Sequence, residues 1–212
     1  MVAKKKENEA AVQDAEVVVE AQALAPQIQP KPFYLSFLSP VNGPTVQALI
    51  ATAAKQLSEG FNEMHLLLST PGGEVQSGIA AYNILRAMPF KVVSYNVGSV
   101  NSIGNVIFLS GDERYAATTS SFMFHGVGFD IQKARFEQKD LDEKLANLKN
   151  DQTLIAAIIE RHTSMKLDDI GKLFLQAAFV PANDAKERGI VNDVIDINVP
   201  KGAPFLQLVF QG

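Results

Sequence analysis

The sequence contains no cysteine. Disulfides, thiolate nucleophiles and Cys-ligated zinc or iron–sulfur sites are thereby excluded, and the chain is compatible with a reducing compartment. Histidine is scarce: His65, His125 and His162 are scattered, so no metal site and no cofactor are expected. No apolar run approaches the roughly 18–20 residues of a membrane span, the longest being short pieces such as Val106 to Leu109. The net charge of −4 gives no electrostatic reason to expect nucleic acid or an anionic membrane. A glycine-rich phosphate loop followed by Lys and Ser or Thr is missing too, so the chain would not hydrolyse ATP itself.

What is present is an ordinary globular balance, 47% hydrophobic and 20% charged over 212 residues. The first 30 or so residues are polar, and the roughly 180 that follow suit one well-buried domain rather than two. Lys4, Lys5 and Lys6 open the chain, but Glu7, Glu9, Asp14, Glu16 and Glu20 interrupt every candidate signal or transit peptide. Pro26, Pro30 and Pro32 then block regular structure. Residues 1–31 are therefore expected to be a disordered arm, 32–200 the domain and 201–212 a tail. The ending Leu208-Val209-Phe210-Gln211-Gly212 fits a native terminus or a cleaved tag equally, and no function is assigned to it.

From Pro32 onward, short apolar strands alternate with helices. Strands are expected at Phe33–Leu38, His65–Ser69, Lys91–Val97, Phe122–His125 and Val194–Val199. Helices are expected at Gly43–Glu59, Glu74–Met88, Ile103–Leu109, Gln132–Arg161 and Leu167–Leu175, with a turn at Asn183–Arg188. In the longest helix Leu141, Leu145, Leu148, Ile155 and Ile159 form a narrow stripe suited to packing on another helix, as from a neighbouring subunit. This alternation argues for an α/β fold with a largely parallel sheet.

Two strand-to-helix junctions are rich in glycine: Thr70-Pro71-Gly72-Gly73, and Gly98-Ser99-Val100-Asn101-Ser102-Ile103-Gly104. Glycine permits a sharp bend, and helix starts expose free N–H groups that suit a developing oxyanion. Either turn alone also reads as an ordinary loop of an α/β sheet. Ser102 reads as an N-cap, or as a nucleophile with the Ile103 amide beside it. His125 closes an apolar strand before Gly126-Val127-Gly128 and reads as a general base or as a satisfied structural His. His162 is expected as a cation complementing the end of its helix, and His65 has no evident partner.

At these residues the chain resembles the proteolytic subunit of the ATP-dependent Clp protease (ClpP-like), within the Clp/crotonase superfamily. The likeness runs from about Phe33 to Asp196. Ser69-Thr70-Pro71-Gly72-Gly73-Glu74-Val75 is similar to the family's Ser-Pro-Gly-Gly turn, with Thr70 as an extra residue. Val100-Asn101-Ser102-Ile103-Gly104 is similar to its nucleophile segment, and Ser121-Phe122-Met123-Phe124-His125 to the segment carrying its histidine. His162-Thr163, Phe179-Val180-Pro181-Ala182-Asn183-Asp184-Ala185 and Gly189-Ile190-Val191-Asn192-Asp193 parallel later motifs.

The resemblance implies a Clp/crotonase-like fold of repeated strand–helix units with a long protruding handle helix. It implies a serine endopeptidase cleaving peptides or unfolded proteins, with Ser102 as nucleophile, His125 as base and the Gly73 and Ile103 amides as oxyanion hole. It also implies a cytoplasmic homo-oligomer of stacked heptameric rings, working with an AAA+ unfoldase such as ClpX or ClpA. The departure is the third triad member: counting back from Phe179, the family's Asp falls on Ala177. Gln176, Asp130 and Asp193 are the substitutes the sequence offers for orienting His125. A catalytically weak or inactive structural subunit is the alternative. A crotonase-type acyl-CoA enzyme ranks last, because Ile103 to Leu109 carries no carboxylate.

Overall fold

A computed structural model describes residues 29–128 and 135–210. Most of the expected arm, together with Phe129 and Asp130 of the loop after His125, lies outside the described residues. The chain opens with β1 (Pro32–Phe37) and α1 (Gly43–Ser58). Asn42 caps α1: its Oδ1 accepts from the Thr45 N–H at 3.0 Å, and Thr45 Oγ1 accepts from the Asn42 N–H at 3.0 Å. Next come β2 (Glu63–Thr70), α2 (Val75–Ala87), which stops before Pro89, β3 (Lys91–Asn101) and α3 (Gly104–Phe108). Strands β4 (Glu113–Ala116) and β5 (Ser121–Phe124) precede the long α4 (Gln138–His162). The last elements are α5 (Leu167–Gln176), β6 (Ala178–Pro181), α6 (Ala182–Glu187), β7 (Asp193–Val194) and β8 (Phe205–Gln207).

The strands form one sheet in the order β6-β5-β3-β2-β1-β8, with β4 and β7 as a branch from β3. Every pairing is parallel except β5 with β6. The α/β expectation of a largely parallel sheet is met. The long strand β3 is shared: Val93–Asn96 pair with β4, whereas Ser99–Asn101 pair with β5. That division carries the end of β3 away from β4 and lays it against β5, bringing residues 102 and 125 to the same end of neighbouring strands.

One face of the sheet is sealed. Met64, Leu66 and Leu68 of β2 are fully buried, with Phe33, Leu35, Phe37 and Phe122, in one core that also takes in Val106, Ile107 and Phe108 of α3. The opposite face carries stacked rings from four strands, Tyr34 on His65, His65 on Tyr95 and Tyr95 on Tyr115. His65, which had no evident partner in the sequence, bonds Tyr95 Oη at 2.9 Å and Glu63 Oε1 at 2.7 Å. The signal was available: Glu63 and His65 stand two apart on a strand and so share a face.

Other expectations need correction. The strand expected at Val194–Val199 ends at Val194, because its partner β4 itself stops at Ala116. The tail expected at 201–212 supplies β8, which extends the sheet beside β1 in parallel register, Tyr34 with Phe205 and Ser36 with Gln207. The long helix starts at Gln138 rather than Gln132, with residues 131–134 outside the described residues. No residue from 138 to 154 is buried, and only Ile155 and Ile159 of α4 enter the core. His162 is not the expected cation. Burial, followed by the charges of Arg114, Arg86 and Arg161, holds its imidazole below the usual value, and it shares a 2.7 Å hydrogen bond with Tyr82 Oη.

Candidate active site

Ser102 lies between β3 and α3 with φ of +56°. A residue with a side chain seldom takes this left-handed conformation, which costs about 1–2 kcal/mol and persists only where the surroundings fix it. Here the surroundings do so. The Ser102 N–H donates to the Met123 carbonyl of β5 at 2.8 Å, and its own carbonyl accepts from the Asn105 N–H at 3.1 Å. Gly72 presses on it from the other side: a Cβ there would lie 2.6 Å from Ser102 Cβ. The bend turns the serine out of the ladder at the end of its strand.

His125 leaves β5 two residues after Met123. Ser102 and His125 line the same cleft of about 340 Å³, with Gly73 and Ile103 at its wall and Phe174 and Ile155 among its apolar lining. Among the described residues no hydrogen bond yet joins Ser102 Oγ to His125. His125 Nδ1 lies 2.7 Å from the Gly126 carbonyl. A carbonyl only accepts, so in the neutral ring Nδ1 carries the proton and Nε2 presents its lone pair. Gly126 is held in turn, its N–H donating to the Phe174 carbonyl of α5 at 3.0 Å.

Two residues of the cleft wall, Gly73 and Ile103, have backbone amides with no acceptor among the described residues. Gly73 forms a parallel bridge with Val41 through its neighbours: the Val41 N–H donates to the Gly72 carbonyl, and the Glu74 N–H to the Val41 carbonyl, both at 2.8 Å. The Gly73 N–H therefore points the opposite way, and among the described residues it has no acceptor. Only glycine fits here, because φ is +149° and a Cβ would stand 2.1 Å from Val41 O. The Ile103 N–H opens α3, has no carbonyl a turn behind it and likewise finds no acceptor among the described residues. Ser102, His125 and the amides of Gly73 and Ile103 meet in one cleft, an arrangement whose chemistry would suit acyl transfer.

The residues offered as orienting acids do not meet His125. Gln176 is exposed in the last turn of α5, outside the cleft and without a bond to His125. Asp193 lies in β7 and pairs with Lys186 at 2.7 Å. Asp130 is outside the described residues. Ala177 is exposed, with φ of +49°, at the C-terminal end of α5. Among the described residues no three His, Asp or Glu side chains converge as a metal site would require. No helix among them is long and apolar enough to cross a membrane.

One residue was overlooked in the sequence. Asn105 of α3 is 2% exposed, and its Nδ2 donates to the carbonyls of both Ser102 and Met123. The only sequence cue is a polar residue three positions after Ser102, which reads as a helix start.

Compared with known protein families, residues 39–198 match the Clp protease family over well more than half of the chain. With that match added to the parallel sheet and the cleft at its end, the chain belongs to the Clp protease family.

Proposed function

We propose that this protein is a ClpP-like serine endopeptidase that hydrolyses peptide bonds in unfolded polypeptides. The observation that carries the reading is Ser102, bent out of its strand at φ +56° into the cleft it shares with His125. Ser102 Oγ attacks the scissile carbonyl while its proton passes to His125 Nε2. The carbonyl oxygen becomes an oxyanion, and the N–H groups of Gly73 and Ile103 bond it. The intermediate collapses, the leaving amine takes the proton from His125, and an ester on Ser102 remains. Water repeats the sequence and releases the acid. Val75, Ile103, Phe124, Ile155, Ile159 and Phe174 make the cleft wall apolar, which favours an apolar side chain next to the scissile bond.

Oligomerisation into stacked heptameric rings belongs to the same proposal. Leu141 and Leu145 are 48% and 49% exposed on an α4 whose first four turns bury nothing, and such a stripe is supported by pairing with a second copy. An AAA+ unfoldase such as ClpX or ClpA would deliver unfolded substrate to the cytoplasmic chamber, since the chain carries no phosphate loop of its own.

Ala177 favours a second reading, a subunit whose site is weak or silent, because no carboxylate bonds His125 among the described residues. Fluorophosphonate labelling followed by intact mass separates the two. A single adduct in the wild type that disappears in Ser102→Ala supports the peptidase. An assembled, folded wild type that takes no adduct supports the silent subunit.

A further inference from the structure

We propose that Asn105 is a positioning residue that sets the distance between the nucleophile and the base. The inference rests on the assignment of Ser102 and His125 as reacting groups. Asn105 Nδ2 has two hydrogens, and both are used: one meets the Ser102 carbonyl at 2.9 Å, the other the Met123 carbonyl at 2.8 Å. The first carbonyl belongs to the turn that holds the nucleophile. The second belongs to β5, two residues before His125. One rigid amide therefore spans the gap between the segment bearing the attacking oxygen and the strand bearing its base.

Stability alone gives no reason for an asparagine here. Both carbonyls already have a backbone donor, the Asn105 N–H for Ser102 and the Ser102 N–H for Met123. Asn105 Oδ1, meanwhile, is buried without a hydrogen-bond partner among the described residues. An unpaired buried acceptor is destabilising, and an alanine would remove it while favouring the helix. Retaining the amide leaves one buried acceptor unpaired among the described residues and braces Ser102, whose φ of +56° needs bracing. Asn105 does not line the cleft, so its effect on the reaction passes through the two backbone segments it ties.

The test is Asn105→Ala. The carbonyls keep their backbone donors, so the fold should hold, with the urea midpoint close to that of the wild type. Peptide hydrolysis should fall about 10- to 100-fold in kcat with KM little changed, the effect of misplacing reacting groups by up to about 1 Å. Crystal structures of wild type and variant give a readout independent of activity. Support is a Ser102 that relaxes from positive φ, or a widened gap between Ser102 and His125. Unchanged Ser102 geometry and spacing in the variant would overturn the inference, as would an unchanged kcat. A wild type that fails to label at Ser102 refutes the peptidase assignment instead, and the pair of structures still decides whether Asn105 sets the spacing.

Discussion

The β5–β6 ladder stops one step short of His125 and Ala177. The antiparallel register pairs Met123 with Phe179 and Phe124 with Ala178, so the next step in register would be 125 with 177. Regular pairing stops just short of that step, because Ala177 adopts the left-handed conformation that ends α5. The position where the family resemblance expects an acid therefore lies just beyond the last pair of that ladder, as His125 does on the other strand, and it carries no acid. The Gly126 carbonyl supplies the orienting bond instead, without a charge.

Placing a carboxylate at this position should therefore speed the reaction. Aspartate tolerates a left-handed backbone better than most residues, and position 177 is exposed, so Ala177→Asp should fold normally. Since the tautomer is already fixed by Gly126, the gain is the charge on imidazolium alone. One pair near the surface is worth about 1 kcal/mol at most, a rise of up to about fivefold in kcat/KM on a peptide substrate. A rate equal to the wild type would mean that another group already stabilises the imidazolium.

The same residue makes a stability prediction free of any functional assignment. Alanine at φ +49° is strained, whereas glycine takes that conformation at no steric cost. Ala177→Gly should raise the unfolding free energy by about 0.5–1 kcal/mol, the left-handed cost less the entropy of a freer unfolded chain. Urea denaturation with an unchanged m-value reads it directly. A loss of stability would show that the alanine methyl makes a contact worth more than the strain.

Much of this fold was legible in the sequence where burial is heavy. Strands such as His65–Ser69 and Lys91–Val97 were found because apolar runs on a parallel sheet leave an unmistakable pattern, although β3 runs on to Asn101. The elements missed were β4, β6 and β8, strands of four, four and three residues. Their extended backbone is imposed by the neighbour they pair with, and pieces so short carry no period to read. The placement of Ser102 at a helix start and of His125 at a strand end was legible, because each adjoins a glycine-rich turn. The partner of His125 was not, because it is a main-chain carbonyl, which any residue type supplies. Asn105 was hidden for a related reason: one of its two acceptors lies on a strand 18 residues away.

Gly73 should not tolerate a side chain. Gly73→Ala would set a Cβ 2.1 Å from Val41 O while requiring φ near +149°, so the bridge to Val41 must open. The expected loss is roughly 2–4 kcal/mol, in the range of strained-backbone substitutions. Because the Gly73 N–H is one of the two proposed oxyanion donors, fluorophosphonate labelling of Ser102 should slow even at temperatures where the variant remains folded. Labelling at the wild-type rate would remove Gly73 from the oxyanion hole.

The end of α4 should make stability depend on pH. His162 bonds Tyr82 of α2 and feels the charges of Arg114, Arg86 and Arg161, which Asp112 opposes. Arg114 Nη2 also donates to the His162 carbonyl at 2.9 Å, which fixes the guanidinium close to the ring's own backbone. Burial first, then the three arginines, lower the folded pKa below the ordinary 6.5, while Asp112 opposes them. The unfolded chain consequently binds a proton that the native state refuses, and stability falls as pH drops through about 6.5. Above that window the imidazole is neutral in both states and contributes no slope. Urea midpoints between pH 8 and pH 5 should decline on the acid side, and His162→Gln, having no proton to take up, should decline less over the same interval. Carboxylates titrate alike in both proteins, so the difference between the two curves belongs to His162. Parallel curves would mean that the folded protein accommodates imidazolium beside its arginines, with the end of α4 moving away from Arg114 to do so.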